Sequence, residues 1–261
     1  MANYIGIGGW TYEPWRDGVF YPAKLSQKRE LEYAASKVTS IEINGTYYGA
    51  QKPESFRKWR EETPDGFIFA VKGTRYATNR KDLAASKESV ERFLASGITE
   101  LKEKLGPINW QFMATKKFEP GDFENFFRLL PPELDGVQLR HAVEVRHDSF
   151  ADPRFIDLCR QYKVAVITAA DSEFPQIGDQ TADYAYVRLM GAQESEPNGY
   201  SDKDLDAWAG RIRSLAAGQV PDDIACVGER KAAARDVFFY VISGFKAHNP
   251  AAAMQLIERV K

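Results

Sequence analysis

The chain has 261 residues, 44% hydrophobic and 28% charged, with 35 Lys and Arg against 37 Asp and Glu and a formal net charge of -2. This is the composition of a soluble globular chain with a sizeable core; the 13% aromatic content argues against disorder, and the near-neutral balance removes any whole-protein attraction to nucleic acid while leaving room for a local basic patch. Two cysteines, Cys159 and Cys226, are too few for a disulfide framework or a thiolate metal cluster and read as small apolar fillers.

Short β-branched runs alternate with stretches of helical period, the signature of βα units. Strands are predicted at Tyr4–Gly8, Ser40–Asn44, Phe67–Lys72, Ile108–Met113, Ala142–Arg146, Val164–Ala169, Tyr184–Leu189 and Asp236–Ile242. Eight strands in a chain of this length predict an α/β fold, a TIM-type (β/α)8 barrel forming a single domain over residues 1–261, since about 250 residues is typical of such barrels. An open doubly wound sheet is the structural alternative. Among the helices, Ser86 is predicted to cap one that carries Val90, Phe93, Leu94, Leu101 and Leu105 mostly along one face. Ser201 opens another with Leu205, Trp208, Ile212 and Leu215, and Asn249-Pro250 reads as cap and first residue of the last helix. Residues 172–182 show little periodicity and read mostly as loop.

A buried parallel strand has no reason to carry charge near its carboxyl end unless the charge is used. Here Glu42 and Asn44 share one face of strand two, opposite Ile41 and Ile43, and Lys72 shares a face with the small Ala70. Strand four contributes Asn109 and Gln111, strand five Glu144 and Arg146 with His147 beyond, strand seven Arg188 in line with Tyr184 and Tyr186, and strand six is followed by Asp171. Alternation sends these toward the barrel axis as a balanced set, Glu42, Glu144 and Asp171 against Lys72, Arg146 and Arg188. The carboxyl end of a (β/α)8 barrel is where reactive sites are built. A self-satisfied ion network that plugs the barrel is the competing explanation.

Gly6-x-Gly8 lacks the third glycine of a dinucleotide loop, and Pro14 stands where the helix would begin. Trp10, Tyr12, Trp15, Phe20, Tyr21, Tyr47 and Tyr48 instead suggest an aromatic wall beside the mouth, able to stack on a sugar or base or to serve as a hydrophobic lid. The stretch Lys72–Lys81 interleaves four cations with Tyr76, an anion or nucleic-acid contact or a solvated loop. Lys246, His248 and Asn249, at the start of the last helix, form a second possible anion site. Glu42, Glu144, His147 and Asp171 are metal-ligand types, but no metal-binding spacing occurs and the cations compete, so neither a metal nor another cofactor is implied.

Several segments resemble the YecE-like family, known as domain of unknown function 72. They are Gly8-Gly9-Trp10-Thr11-Tyr12 with Trp15 and Phe20-Tyr21-Pro22, Ile41-Glu42-Ile43-Asn44 followed by Tyr47-Tyr48, Trp59, Phe67–Lys72, Gln111, Val143-Glu144-Val145-Arg146-His147, Asp171 and Tyr186-Val187-Arg188-Leu189. The resemblance covers essentially the whole chain and implies a TIM-type barrel without carrying an activity. Departures fall at the mouth: Thr78-Asn79 stands for a common Thr-His, Phe112-Met113-Ala114 for a Leu-Pro-Pro turn, and Met190-Gly191 for His-Gly, which weakens a metal or histidine-base mechanism specifically.

The leading expectation is an enzyme acting on a small anionic, polyhydroxy or phosphorylated substrate. Glu42, Glu144, Lys72 and Asp171 are its candidate catalytic residues, with Glu42 or Glu144 as general acid/base. Arg146 and Arg188 hold the anion, Asn44 and Gln111 orient hydroxyls, and His147, Trp10, Tyr12 and Tyr48 contribute to binding. Nucleic-acid binding or processing through residues 75–81 and the aromatic mouth is the alternative, and a non-catalytic scaffold the third. No membrane partner is expected, and the start of the chain lacks signal-peptide character, so the expected location is the cytoplasm.

Overall fold

The computed structural model describes residues 1–261. Eight parallel strands, β1 (Asn3–Gly8), β2 (Ser40–Ile43), β3 (Ile68–Lys72), β4 (Leu105–Gln111), β5 (His141–Glu144), β6 (Ala165–Ala170), β7 (Tyr184–Leu189) and β8 (Asp236–Val241), pair in sequence order. β8 returns to β1 with Ile5 opposite Phe239 and Gly6 opposite Tyr240, which closes the sheet into a TIM barrel and eliminates the open-sheet alternative. The pairing of β1 with β2 needs a glycine at position 6, where a Cβ would fall 1.8 Å from the Ser40 carbonyl oxygen.

Side-chain alternation divides the strands as their sequence indicates. Ile5, Ile7, Ile41, Ile43, Phe69, Val71, Val143 and Val187 join the large outer core, whereas Ala70, Ala142, Tyr186, Phe238 and Tyr240 pack within the barrel. The outer core is closed by α1 (Glu30–Ala35), α2 (Pro53–Glu61), α3 (Lys87–Leu94), α4 (Pro120–Arg128), α5 (Pro153–Gln161), α6 (Asp202–Ala216) and α7 (Asn249–Val260). A two-stranded hairpin, Glu133–Leu134 with Val137–Gln138, lies between α4 and β5. No helix of the chain is long and apolar enough to cross a membrane.

Residues 172–182 contain no helix. Asp179 anchors this connection by accepting the amides of Val227 at 2.6 Å and Gly228 at 2.8 Å. Ser201 caps α6 through the Asp204 amide, and Leu205, Trp208, Ile212 and Leu215 are all buried. The helix after Ser86 is shorter than its apolar pattern predicts. Gly97 turns left-handed at φ 96°, Leu101 falls in a 3-10 segment and Leu105 opens β4, although both leucines remain buried. Ser86 donates to the Ala77 carbonyl at 2.6 Å instead of capping. β4 consequently starts three residues before its predicted Ile108.

Candidate functional site

Small residues beneath large polar ones set the height of the charges. Ala70 and Ala142 leave room inside the barrel, and the next inward positions on those strands carry Lys72 and Glu144. Glu42, Lys72, Gln111, Glu144 and Arg188 therefore meet at the carboxyl end of the barrel, with Arg146 just beyond β5. Arg188 is central. Its Nη2 donates to Glu42 Oε1 at 3.1 Å and its Nη1 to Glu144 Oε2. Glu42 Oε2 accepts the Tyr186 hydroxyl at 2.5 Å and Asn109 Nδ2 at 3.2 Å, and Glu144 Oε1 accepts Arg146 Nε at 2.7 Å. Lys72 Nζ donates to Gln111 Oε1 at 2.6 Å and lies 4.6 Å from the centre of the Tyr47 ring.

Electrostatics separates the members. Burial alone would raise the Glu144 pKa, but Arg188, Arg146 and Lys72 hold it down at about 2. Burial opposes the charge of Arg188, and Glu144 and Glu42 overcome it, so the guanidinium stays protonated. Burial, aided by the positive charge of Arg188, brings the Lys72 pKa down to about 8.

Above this layer opens a cavity of about 720 Å³. Lys72, Gln111, Arg146 and Arg188 line its floor side, with Asn44, Trp10, Tyr12 and Tyr48 along its wall. Glu42 and Glu144 are fully buried and do not line it. The two carboxylates marked as acid/base candidates thus lie behind the cations and fix the guanidinium planes. Two further predicted site residues do not join the cluster. Asp171 is exposed, in the left-handed region at φ 52°, and packs over Gly191, where a Cβ would fall 1.9 Å from its Oδ2. His147 turns back on its own chain, its Nδ1 accepting the Ser149 amide at 3.1 Å. The balanced set of six is in fact three cations over two carboxylates. Nowhere do three or more His, Cys, Asp or Glu side chains gather in a way that would hold a metal ion.

The aromatic group divides too. Trp15, Phe20, Tyr21 and Tyr47 are buried, and the Tyr21 hydroxyl donates to the Trp10 carbonyl at 2.5 Å, steadying the loop that presents Trp10. Trp10, Tyr12 and Tyr48 face the cavity, joined by Trp59, which meets Trp10 edge-on at 5.2 Å. Of the cations in residues 72–81, Lys72 belongs to the interior; Arg75 lies 5.8 Å from the exposed Tyr48 ring and 5.4 Å from Tyr76, and Arg80 is tied to the Tyr76 carbonyl and Ser89. Thr11, Gln51 and Ser243 also line the cavity and were not marked as site residues; their types carry no sequence signal, and only loop geometry brings them there. Lys246 and Asn249 line the same cavity, so the possible site at the last helix is part of this one, whereas His248 is drawn aside toward the Gln193 carbonyl at 3.2 Å.

A family model described as "Protein of unknown function DUF72" matches residues 4–261. The chain is 31% identical over 244 residues to UPF0759 protein YunF of Bacillus subtilis (strain 168), covering 81% of this chain and 83% of that protein. It is 30% identical over 148 residues to UPF0759 protein YecE of Escherichia coli (strain K12), covering 56% of this chain and 49% of that one, so the match spans about half the length of this curated relative. The crystal structure of a DUF72 family protein from Thermotoga maritima MSB8 superposes with a TM-score of 0.75 at 23% identity, covering 99% of this chain and 98% of that one, a likeness of fold.

Proposed function

The chain belongs to the DUF72 family, and we propose that its barrel mouth is the active site of an enzyme that binds a small anionic, hydroxyl-rich substrate and moves a proton on it. Charge is shared unequally here: Lys72, Arg146 and Arg188 line the cavity, whereas Glu42 and Glu144 lie wholly behind them. Three cations against two carboxylates leave one positive charge in excess, and a desolvated cation is costly unless a counter-charge arrives. That surplus, open to a cavity large enough for a metabolite, is the observation on which the proposal stands.

Arg188 gives both terminal nitrogens to carboxylates, yet its buried Nε has no partner. The partly exposed Arg146 and, when protonated, Lys72 supply the charge-assisted hydrogen bonds a phosphate or carboxylate requires, with the buried Arg188 guanidinium adding its charge from behind. The proton-transfer role passes from the carboxylates to Lys72. With a pKa of about 8, roughly one Lys72 in ten is a free amine at pH 7, a usable general base. When Lys72 takes the proton from a carbon next to a substrate carbonyl or carboxylate, the C–H electron pair moves into that C=O, and the charges of Arg188 and Arg146 stabilise the oxyanion so formed. Asn44 and Gln111 orient hydroxyls, and Trp10, Tyr12 and Tyr48 offer ring faces to the carbon skeleton.

A thermal-shift panel of phosphorylated sugars and sugar acids tests this reading on the wild type and Arg146→Met. A stabilising compound whose effect disappears in the variant is expected, followed by solvent deuterium entering that compound in a reaction that Lys72→Met abolishes. No stabilisation by any compound would assign the polar interior a purely structural role.

One observation favours a second reading. Arg75 stands between the exposed rings of Tyr48 and Tyr76, an arrangement suited to stacking bases of a single strand against cations. Anisotropy with a labelled oligonucleotide checks it: binding must weaken steeply with salt and fall in Arg75→Ala. Salt-insensitive or absent binding removes it.

A further inference from the structure

We infer that the mouth cavity holds a second anion subsite, formed by Lys246, Asn249 and the backbone amide of Ser243, so that the substrate carries an anionic group at each end of a hydroxylated chain. The inference rests on the anion-binding reading above and extends it to the rim that follows β8, which stands across the barrel from β4.

Three groups on this rim have no polar partner within the fold. Lys246 lines the cavity with no carboxylate in ion-pair contact, its ammonium 4.3 Å from the Tyr12 ring centre and 5.5 Å from that of Trp15. Burial lowers its pKa, the sign of a cation without a counter-charge. Asn249 opens α7 but its side chain makes no cap: His248 occupies the N-cap position, and Asn249, 1% exposed at the cavity wall, keeps a buried Oδ1 with no partner. An orphaned acceptor of this kind is costly, and turning the Asn249 amide toward the cavity lets a substrate hydroxyl donate to it. The amide of Ser243, which lines the cavity, makes no hydrogen bond within the chain.

The rim is also held rigid, as a recognition site must be. Trp15 Nε1 donates to the Lys246 carbonyl at 2.9 Å, the Phe245 amide to Ala192 at 2.6 Å and the His248 amide to Phe245 at 3.0 Å. The twelve residues of α7 direct their helix dipole at the same place. Lys246 and the Ser243 amide thus address an anion, and Asn249 the hydroxyl beside it. With Lys72 at the end of β3 and Arg146 just beyond β5 on the other side of the mouth, the chemistry selected is a bis-anionic polyhydroxy compound.

Isothermal titration of the full chain tests this with two pairs of probes, D-fructose 1,6-bisphosphate against D-fructose 6-phosphate and D-glucarate against D-gluconate, which separate phosphate from carboxylate. In at least one pair the two-anion member is expected to bind tenfold or more tightly. Lys246→Met should cut that advantage to threefold or less, Lys246→Gln should do the same, and Lys246→Arg should retain it. Equal affinities within both pairs, or an advantage unchanged in both neutral variants, would overturn the subsite while single-anion binding stands. Failure of all four compounds to bind the wild type would remove the subsite together with the reading beneath it.

Discussion

Lys72 and Gln111 are joined across the carboxyl ends of β3 and β4 by a hydrogen bond of 2.6 Å, and Arg188 Nη1 approaches the same Gln111 oxygen at 3.5 Å. One neutral amide oxygen thus serves two cations, and no carboxylate touches the ammonium. This arrangement suits a proton-transferring lysine and costs stability, because a charged amine is buried without a carboxylate in ion-pair contact.

Removing that amine should stabilise the chain. The folded pKa of Lys72 is about 8 against the usual 10.5, so the unfolded state binds more protons between those values and stability rises with pH across that window. Below pH 8 the penalty is in full force. Lys72→Met is expected to raise the urea unfolding free energy at pH 7 by on the order of 2 kcal/mol, with the advantage fading from pH 8 toward 10.5. A loss of stability at pH 7 would contradict the lowered pKa.

Ligand affinity should carry the same titration with the opposite sense. Above pH 8 the ammonium becomes a neutral amine and one anchoring charge is lost, so affinity for a single-anion ligand should fall about tenfold between pH 7 and 9.5, the worth of one charge-assisted hydrogen bond. In Lys72→Met the affinity should be flat over that range. Titration calorimetry at three pH values decides it.

Glu144 contributes in the usual carboxylate direction. Its folded pKa of about 2 lies below the ordinary 4.5, so its stabilisation is complete above pH 4.5 and lost as pH falls toward 2. Glu144→Gln leaves Arg188 and Arg146 without their shared partner and should cost about 3 kcal/mol or more at pH 7. Adding Arg146→Met should recover part of that loss, which a double-mutant cycle by urea denaturation measures.

Tyr48 offers a test of recognition apart from folding. It lines the cavity yet is 64% exposed, so Tyr48→Ala should change stability by less than about 0.5 kcal/mol. Affinity for a hydroxyl-rich ligand should nevertheless fall roughly fivefold, the worth of one ring face. Equal losses in melting temperature and affinity would assign Tyr48 to the fold instead.

By itself the sequence determined the eight strands and the face each strand residue takes; that the sheet closes rather than staying open was decided by the pairing of β8 with β1. The alternation of Ile41, Glu42 and Ile43, or of Val143, Glu144 and Val145, is a local property that survives any packing of the strands. It did not determine which charges reach the cavity. Glu42 and Arg188 are equally inward by period, yet the first is sealed and the second lines the opening, because side-chain length and height along the barrel axis set accessibility. Asp171 stands just past β6 and still turns away, since a left-handed residue there redirects the chain beside Gly191. Lys246 and Asn249 enter the same cavity only because β8 closes on β1 and brings the last loop to the rim that carries Trp10 and Tyr12. Periodicity fixes which side of a strand a residue occupies; how deep it sits, and which distant residue it meets, depends on the closed barrel, whose geometry no single segment contains.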